Sequence, residues 1–376
     1  MSVLSDAEVA ALLTPIRAAL ASPAGLVIQT SGTLGAPKLV RLSAEALRSS
    51  AEATLQVLGG PGQWLVALSP TVIAGAQMLV RSILADITPV VLSGQFDAEA
   101  FLSAAQQLSG DRRYTSLVPV QLARLLEHCD EHPDAVEILR RFDAILVGGQ
   151  ALEPALREKA LASGLTIIRT YGGTETAGGC VYEGVPIGDT VIRIAGGEVL
   201  ISGSCLADGY DNDPELTRAR FTVEPGVSDE AAFGAPAPSI RWFHTRDSGQ
   251  LFTDDSGQQR LRITGRLDRV LISGGVKVSL DALEAAVREC RGWGSAFIVA
   301  VPDHEWGERP VVVLEQGEES ARRREPDADS FDQVRAHVEA RMGRVAVPDR
   351  FALVQEIPRL PSGKPDLHTL ADAVSD

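Results

Sequence analysis

The chain has 376 residues, of which 45% are hydrophobic, 23% charged and only 5% aromatic. Fifty acidic against 35 basic side chains leave a formal charge of −15, which argues against nucleic acid or an anionic membrane as the main partner. This composition excludes a disordered chain, and a prior of roughly 100–200 residues per domain predicts two or three domains with a sizeable core.

The opening Met1-Ser-Val-Leu-Ser-Asp-Ala-Glu8 is acidic where a signal peptide would be basic. Beyond it, short apolar runs alternate with helical periodicity. Strands are predicted at Gly25–Gln29, Trp64–Leu68, Thr88–Leu92, Ser116–Pro119, Ala144–Val147 and Thr166–Arg169. Helices are predicted between them at Ala44–Val57, Ile73–Leu84, Ala98–Leu108, Pro119–Glu127 and Pro154–Ala162. Such alternation predicts an α/β fold with a largely parallel sheet. The uncharged stretch from Ala53 to Val80 is broken by Gly59-Gly-Pro-Gly62 and Pro70, so no membrane-spanning helix is expected.

From Val191 the pattern shifts to short strands punctuated by Gly and Asp, with a hairpin-like Gly249–Gln258, as in a small antiparallel sheet or barrel. Pro225 to Pro238 reads as a surface loop. After Gly265-Arg-Leu-Asp268 a second, α+β unit is predicted. It runs strand Val270–Ile272, helix Leu280–Cys290, strands Ser295–Val301 and Pro310–Glu315, helix Phe331–Met342, then a strand and a glycine-bearing loop. Glu315 to Asp329 is charge-dense and reads as a solvated loop. The expected division is a large domain over 1–267 and a small one over 268–376.

Only Lys38, Lys159, Lys277 and Lys364 are lysines, and the other 31 basic residues are arginine. An ammonium on a flexible stem and a planar guanidinium do different work, so these exceptions mark places to look for chemistry. Cys129, Cys180, Cys205 and Cys290 form no CxxC pair, which leaves neither a zinc ribbon nor a redox motif. A cytoplasmic enzyme is expected.

Gln29-Thr-Ser-Gly-Thr-Leu-Gly-Ala-Pro-Lys38 follows a predicted strand. Small hydroxyl residues and glycines let backbone N–H groups close on phosphate oxygens, and Lys38 adds a mobile charge. The spacing Gly32-x-x-Gly35-x-x-Lys38 is not that of a Walker A loop; the other reading is a turn between a strand and a helix. In Thr170-Tyr-Gly-Gly-Thr-Glu-Thr-Ala-Gly-Gly179 an aromatic ring can stack on a base, a hydroxyl can reach phosphate, and a carboxylate can hold Mg²⁺. Taken alone, Tyr171 reads as core and Glu175 as a charge at a helix N-terminus. Phe243-His-Thr-Arg-Asp247 puts an Asp at a strand end, within reach of ribose hydroxyls. Gly265–Gly275 and Leu360-Pro-Ser-Gly-Lys364 complete the set.

Taken in order, these five runs resemble the adenylate-forming superfamily of acyl-CoA synthetases, luciferases and peptide-synthetase adenylation domains. Thr30–Lys38 is similar to its [ST]SG[ST]xGxPK, Tyr171–Glu175 to YGxTE, and Thr245-Arg-Asp247 to TGD. Gly265–Gly275 is similar to GRxDxxIxxxG and Pro358–Lys364 to PxxxxGK. Gly148-Gly-Gln-Ala-Leu152 looks like the strand-end GGxxL, and Val301–Glu308 like the PDxxxGE loop. The resemblance implies a large N-terminal domain of layered α/β sheets with a small β-barrel-like region. A small, mobile α+β C-terminal domain would carry the catalytic lysine.

The implied reaction has two steps. A carboxylate attacks the α-phosphorus of ATP to give acyl-AMP and pyrophosphate, and a thiol, usually that of coenzyme A, then displaces AMP. ATP, Mg²⁺ and coenzyme A are thus implied. Thr30, Ser31, Gly32, Thr33, Gly35 and Lys38 would cradle the β/γ-phosphates. Gly148 and Gly149 would face adenine, Tyr171 would stack on it, Thr174 would touch the α-phosphate, and Glu175 would hold Mg²⁺. Asp247 and Arg266 would hold the ribose, and Lys364 would bridge the carboxylate and the α-phosphate. Asp268 would be the hinge, with Ser273, Gly274 and Gly275 along the path of the CoA arm.

The chain departs from the pattern at Leu34, Leu39 and Arg246, the last replacing the Gly of TGD, and Ser69–Gly75 lacks a gating His. Tyr171–Gly184 and Pro70–Ser82 look like the compact o-succinylbenzoate–CoA ligases of menaquinone synthesis. That acid carries a second carboxylate, for which Arg81 and Ser82 are candidates, beside Gly178 in the pocket; the other reading makes Arg81 a helix C-terminal cap. The alternatives are a ligase or stand-alone adenylation enzyme for another aryl or acyl acid, and a non-catalytic nucleotide-binding relative. Retention of Lys38, Glu175, Asp247, Arg266 and Lys364 together argues against the last. The expected partners are small molecules, with a homodimer left open.

Overall fold

The structure is a computed structural model and describes residues 2–30, 38–225, 239–316, 328–360 and 365–375. Five strands, Val90–Ser93, Gln63–Val66, Arg113–Leu117, Ala144–Val147 and Ile167–Gly173, lie side by side in parallel. Ser2–Val3 closes one edge antiparallel, and Gly178–Tyr182 followed by Val185–Pro186 extends the other. Side chains alternate across a strand. Accordingly Trp64, Val66, Ala144 and Leu146 join one buried cluster, while Leu65, Ile145 and Val147 join another. Helices Ala44–Val57 and Ile73–Ala85 cover the first face, and Ala98–Ala105, Pro119–Glu131 and Pro154–Ala162 the second. A sheet buried on both faces requires near-continuous apolar runs, which is why these strands are legible as such.

The first predicted strand has a different place. It spans Leu26–Thr30 and pairs antiparallel with Lys38–Leu42, which in turn pairs with Gly209–Tyr210. Residues 31–37 therefore join strand to strand, not strand to helix; a crossover to a parallel neighbour needs a dozen or more residues. The helix Asp6–Ala21, opened by a Ser5/Glu8 capping box, is an element the sequence reading did not contain.

The following region is antiparallel, as predicted. Val191–Ala195, Glu198–Ser202, Ile240–Thr253 and Phe221–Glu224 form a sheet to which Gln259–Arg266 adds along Ile240–Thr253. The expected hairpin turns at Asp254, whose carboxylate accepts the N–H groups of Ser256 and Gln258 at 2.9 Å each. Residues 226–238 of the expected loop, and 317–327 of the charge-dense one, lie outside the described residues.

The last sheet orders Val276–Ser279, Val270–Ser273, Gly307–Glu315 and Phe297–Asp303, with Arg350–Val354 parallel to Gly307–Glu315. Helices Leu280–Arg288 and Ala328–Met342 pack on one of its faces and Leu367–Ala373 on the other. Arg269 ties its start to that helix layer, bonding Asp281, Glu284 at 2.6 Å and the Ile298 carbonyl at 2.8 Å. Among the described residues no helix is long and apolar enough to cross a membrane.

Candidate active site

The strand Ile167–Gly173 ends in a short 3₁₀ turn, Thr174–Thr176, and returns as Gly178–Tyr182. This reversal is tight. A Cβ on Gly172 (φ +152°) would stand 2.2 Å from the Gly178 carbonyl oxygen, so only glycine fits. Thr176 locks the turn, its hydroxyl accepting from Gly173 N–H at 2.9 Å and donating to the Gly178 carbonyl at 2.8 Å. Gly148, just past Ala144–Val147, lies against Thr170 closely enough that a Cβ would come within 2.3 Å of its Oγ1. Gly148 and Gly149 thus stand beside the residue preceding Tyr171.

Tyr171 is not simply core: its hydroxyl donates to Asp247 Oδ2 at 2.6 Å. Burial first, and then the Asp247 charge, push this phenol well above the ordinary tyrosine range. Asp247 sits on Ile240–Thr253 opposite Arg266 in the ladder. Arg266 Nη1 reaches Asp247 Oδ1 at 3.2 Å and grips Asp268 with two bonds of 2.7 Å. Burial raises the Asp247 pKa, against the Tyr171 hydrogen bond and the Arg266 charge. At Asp268 burial acts in the same direction but is outweighed by the Arg266 bonds and charge, and its pKa falls. The hydrogen bonds from Arg266 to Asp268 raise the arginine further.

The departure at Arg246 now has a physical description. Its φ is +64°, a left-handed conformation that glycine adopts without strain. Three groups brace it: Glu198 Oε1 accepts its N–H at 2.9 Å, and Leu267 N–H donates to its carbonyl at 2.8 Å. Arg220, largely buried, donates to the carbonyls of His244 at 2.7 Å and Thr245 at 3.2 Å.

A second cluster lies beside the strand pair Leu26–Thr30 and Lys38–Leu42. Thr30 and Lys38 are cross-strand partners at its base, with Lys38 N–H 3.4 Å from Thr30 Oγ1. Lys38 Nζ stands 5.7 Å from the centre of the Tyr210 ring. The Tyr210 hydroxyl donates to Glu175 Oε1 at 2.9 Å, and Ala207 N–H holds the Glu175 carbonyl at 2.8 Å. Glu175 lies in the 3₁₀ turn beside Thr174, not at the start of a long helix. Ser31, Gly32, Thr33, Gly35 and Lys364 lie outside the described residues.

The remaining candidates lie apart. Ser273 is buried in the C-terminal sheet, and Gly274 (φ +56°) packs under Trp306, whose ring would meet a Cβ at 3.0 Å. At Gly275 a Cβ would meet open space. Arg81 is buried inside the helix Ile73–Ala85 and stacks 5.0 Å from the centre of the Trp64 ring; it caps nothing. Its Nε has no acceptor among the described residues. Desolvation lowers its pKa, with Tyr182 opposing. Ser82 donates its hydroxyl to the Met78 carbonyl at 2.8 Å. Gly178 faces the same helix, a Cβ there coming 3.5 Å from Gln77 Cγ. Gln77, one turn before Arg81, has a buried Oε1 that is likewise without a partner.

The sequence reading missed Tyr210, Arg220 and Gln77. Only Tyr210 carried a signal, a Gly-Tyr pair shortly before the Asp213-Pro214 helix start.

Two family profiles match the chain: AMP-binding enzyme over residues 14–211, and AMP-binding enzyme C-terminal domain over residues 282–364. The chain belongs to the AMP-binding enzyme family. Among its relatives in that family is the probable 2-succinylbenzoate–CoA ligase of Mycobacterium tuberculosis. The two are 39% identical over 350 residues, 91% of this chain and 82% of the relative. The 2-succinylbenzoate–CoA ligase of Salmonella typhimurium is 30% identical over 296 residues, 76% of this chain and 57% of that protein. In fold, the chain is similar to o-succinylbenzoate CoA synthetase from Bacillus subtilis in complex with its acyl-adenylate intermediate. There the TM-score is 0.71 at 23% identity, covering 93% of this chain and 69% of that one. The chain has the large N-terminal and small C-terminal parts of this family, and the two ligases named here are acid–thiol ligases.

Proposed function

We propose that this protein is an ATP-dependent acid–thiol ligase that activates 2-succinylbenzoate as its acyl-adenylate, releasing pyrophosphate, and passes the acyl group to coenzyme A. The observation that carries the reading is the meeting of distant segments in two clusters. Tyr171, Asp247 and Arg266 form one bonded chain, and in the other Tyr210 is bonded to Glu175 with its ring centre 5.7 Å from Lys38 Nζ. The choice of acid rests on the names of the relatives in M. tuberculosis and S. typhimurium.

No side-chain nucleophile is needed, because the attacking oxygen belongs to the acid and the attacking sulfur to the thiol. Positioning and charge compensation do the work. Asp247, held by Arg266, accepts from the ribose hydroxyls, and Tyr171 offers its ring to adenine beside Gly148 and Gly149. Thr174, whose hydroxyl has no hydrogen bond among the described residues, donates to the α-phosphate. Thr30 and Lys38 frame the loop whose Ser31, Gly32, Thr33 and Gly35 close on the β/γ-phosphates. Lys364 bridges the carboxylate and the α-phosphate, where negative charge accumulates as the new bond forms.

The donor set suits magnesium. No group of three or more His, Cys, Asp or Glu able to hold a metal occurs among the described residues, and Mg²⁺ is bound through one or two carboxylates plus substrate phosphates. Glu175 would be the protein ligand; bound there, the ion neutralises phosphate charge.

Arg81 supplies the cation for the second carboxylate of the acid, since it is buried without an anion of its own among the described residues. Gly178 leaves room for the ring, while the Ser82 hydroxyl is already committed to its own helix. Asp268 is the hinge between bodies 1–267 and 268–376: Arg266 binds Asp247 on one side, and Arg269 binds Asp281 and Glu284 on the other. Ser273, Gly274 and Gly275 line the path of the CoA arm. The reaction belongs in the cytoplasm, with its soluble substrates.

Pyrophosphate release, followed with a panel of carboxylic acids with and without coenzyme A, tests the reading. 2-Succinylbenzoate should be the preferred acid, and K364A should lose adenylation while still passing a supplied acyl-adenylate to coenzyme A. Release stimulated by no acid would overturn the ligase assignment, and equal loss of both steps would overturn the role of Lys364.

A further inference from the structure

Tyr210 lies on a two-residue strand paired with Val40, two positions along from Lys38 in the phosphate-loop hairpin. The ring is buried in the main core, 6.0 Å from the Phe221 ring centre. Its face is turned to the Lys38 ammonium and its hydroxyl to Glu175 Oε1. Glu175 Oε2 has no hydrogen bond among the described residues, and no ion pair joins Lys38 to Glu175 among them.

Lys38 and Glu175 both meet the Tyr210 side chain, one at its ring and the other at its hydroxyl. Directly paired, each would neutralise the other, and a polyphosphate and its cation would have to break the pair in order to bind. A phenol between them meets both needs without cancelling either charge: the carboxylate receives a hydrogen bond, and the ammonium receives the negative face of an aromatic ring.

We propose that Tyr210 is a positioning residue for the phosphate-and-metal end of the site. It holds Glu175 by one oxygen so that the other faces the cation, and it keeps Lys38 from closing on Glu175. This rests on the adenylation reading. Its hydroxyl and ring face meet Glu175 and Lys38, so its influence is confined to the step that uses the triphosphate.

The test uses Y210F, which keeps the ring and removes the donor, and Y210L, which removes both. Binding of Mn²⁺ together with a non-hydrolysable ATP analogue is read by the electron paramagnetic resonance of Mn²⁺, without turnover. Y210F should weaken Mn²⁺ binding about tenfold, the scale of one hydrogen bond to a charged group, and Y210L more. The KM for the acid and the rate of thioester formation from supplied acyl-adenylate should not change. In an E175Q background the Y210F effect on Mn²⁺ should vanish, because the hydroxyl acts through that carboxylate. Unaltered Mn²⁺ binding in Y210F, persistence of its effect in E175Q, or parallel loss of the thioester step would overturn the proposal. Failure of the wild-type protein to bind the nucleotide analogue would overturn the adenylation reading and this one with it.

Discussion

Replacing Arg81 by methionine separates what this side chain does for the fold from what it does for the substrate. Arg81 is 3% exposed, its Nε lacks an acceptor among the described residues, and its guanidinium stacks 5.0 Å from the Trp64 ring centre. A buried charge without a counter-ion costs about 3–5 kcal/mol, of which a desolvated cation–π contact offsets about 2 kcal/mol. Methionine fills irregular apolar space with no charge to bury, so R81M should raise the unfolding free energy by about 2 kcal/mol. Urea unfolding followed by tryptophan fluorescence reads this, since Trp64 lies against the side chain. The same variant should discriminate less between 2-succinylbenzoate and its mono-ester at the succinyl carboxyl. The ratio of their kcat/KM values should fall about a hundredfold, the scale of losing a charged hydrogen-bonded pair. A variant less stable than wild type would refute the claim that the guanidinium is uncompensated before substrate binds. An unchanged ratio would refute its assignment to the second carboxylate.

Other outcomes follow from the same geometry. R269A leaves Asp281 and Glu284 without their shared cation and should destabilise the C-terminal sheet by about 3 kcal/mol. Limited proteolysis and urea unfolding check this, and a change below about 0.5 kcal/mol would show that Arg288, which also pairs with Glu284 at 2.9 Å, satisfies that carboxylate alone. G172A drives a Cβ to 2.2 Å from the Gly178 carbonyl oxygen and displaces the reversal that carries Tyr171 and Glu175. Calorimetry should find ATP binding weakened by about tenfold or more; wild-type affinity would mean that the reversal relaxes without moving either residue. At Glu183 burial, which raises the pKa, is outweighed by the Arg169 hydrogen bonds and by the Arg169 and Arg157 charges, so the folded value lies below 4.5. A depressed carboxylate contributes stability above its unfolded pKa and loses it as pH falls through the folded one. E183Q should therefore be less stable than wild type at neutral pH, with the gap closing in acid. A pH-independent gap would point to packing instead.

What could be read from the sequence, and what could not, divides along physical lines. The parallel strands at Ala144–Val147 and its neighbours were legible because burial on both faces leaves continuous apolar runs. Helices Ala44–Val57 and Pro154–Ala162 were legible to the residue from their periodicity and, for the latter, Pro at the first position. Asp6–Ala21 was not, because Pro15 in its interior argues against a helix that tertiary packing nonetheless stabilises. The partner of Leu26–Thr30 was hidden, since a run of apolar residues carries no information about which edge it joins. In the site, the order of the motifs was informative through resemblance, but the bonds among them were not. The contact of Tyr210 with Glu175 spans 35 residues, and nothing local marks it. Arg81 read equally well as a cap, because its burial depends on Trp64, which sits on a different element.

Arg246 bears on how this site can drift over generations. Every arginine codon becomes a glycine codon by a single base change, so the relaxed backbone is always one mutation away from a residue held at φ +64°. The left-handed conformation costs an L-residue about 1–2 kcal/mol, and glycine would remove that cost while enlarging the unfolded ensemble by a comparable free energy. The bonds to Glu198 and Leu267 are made by main-chain atoms and would survive the exchange. The turn ahead of Asp247 is therefore a nearly level path along which a lineage can exchange a charged side chain for a bare backbone. Neither direction along it loosens the hold of Arg266 on Asp247.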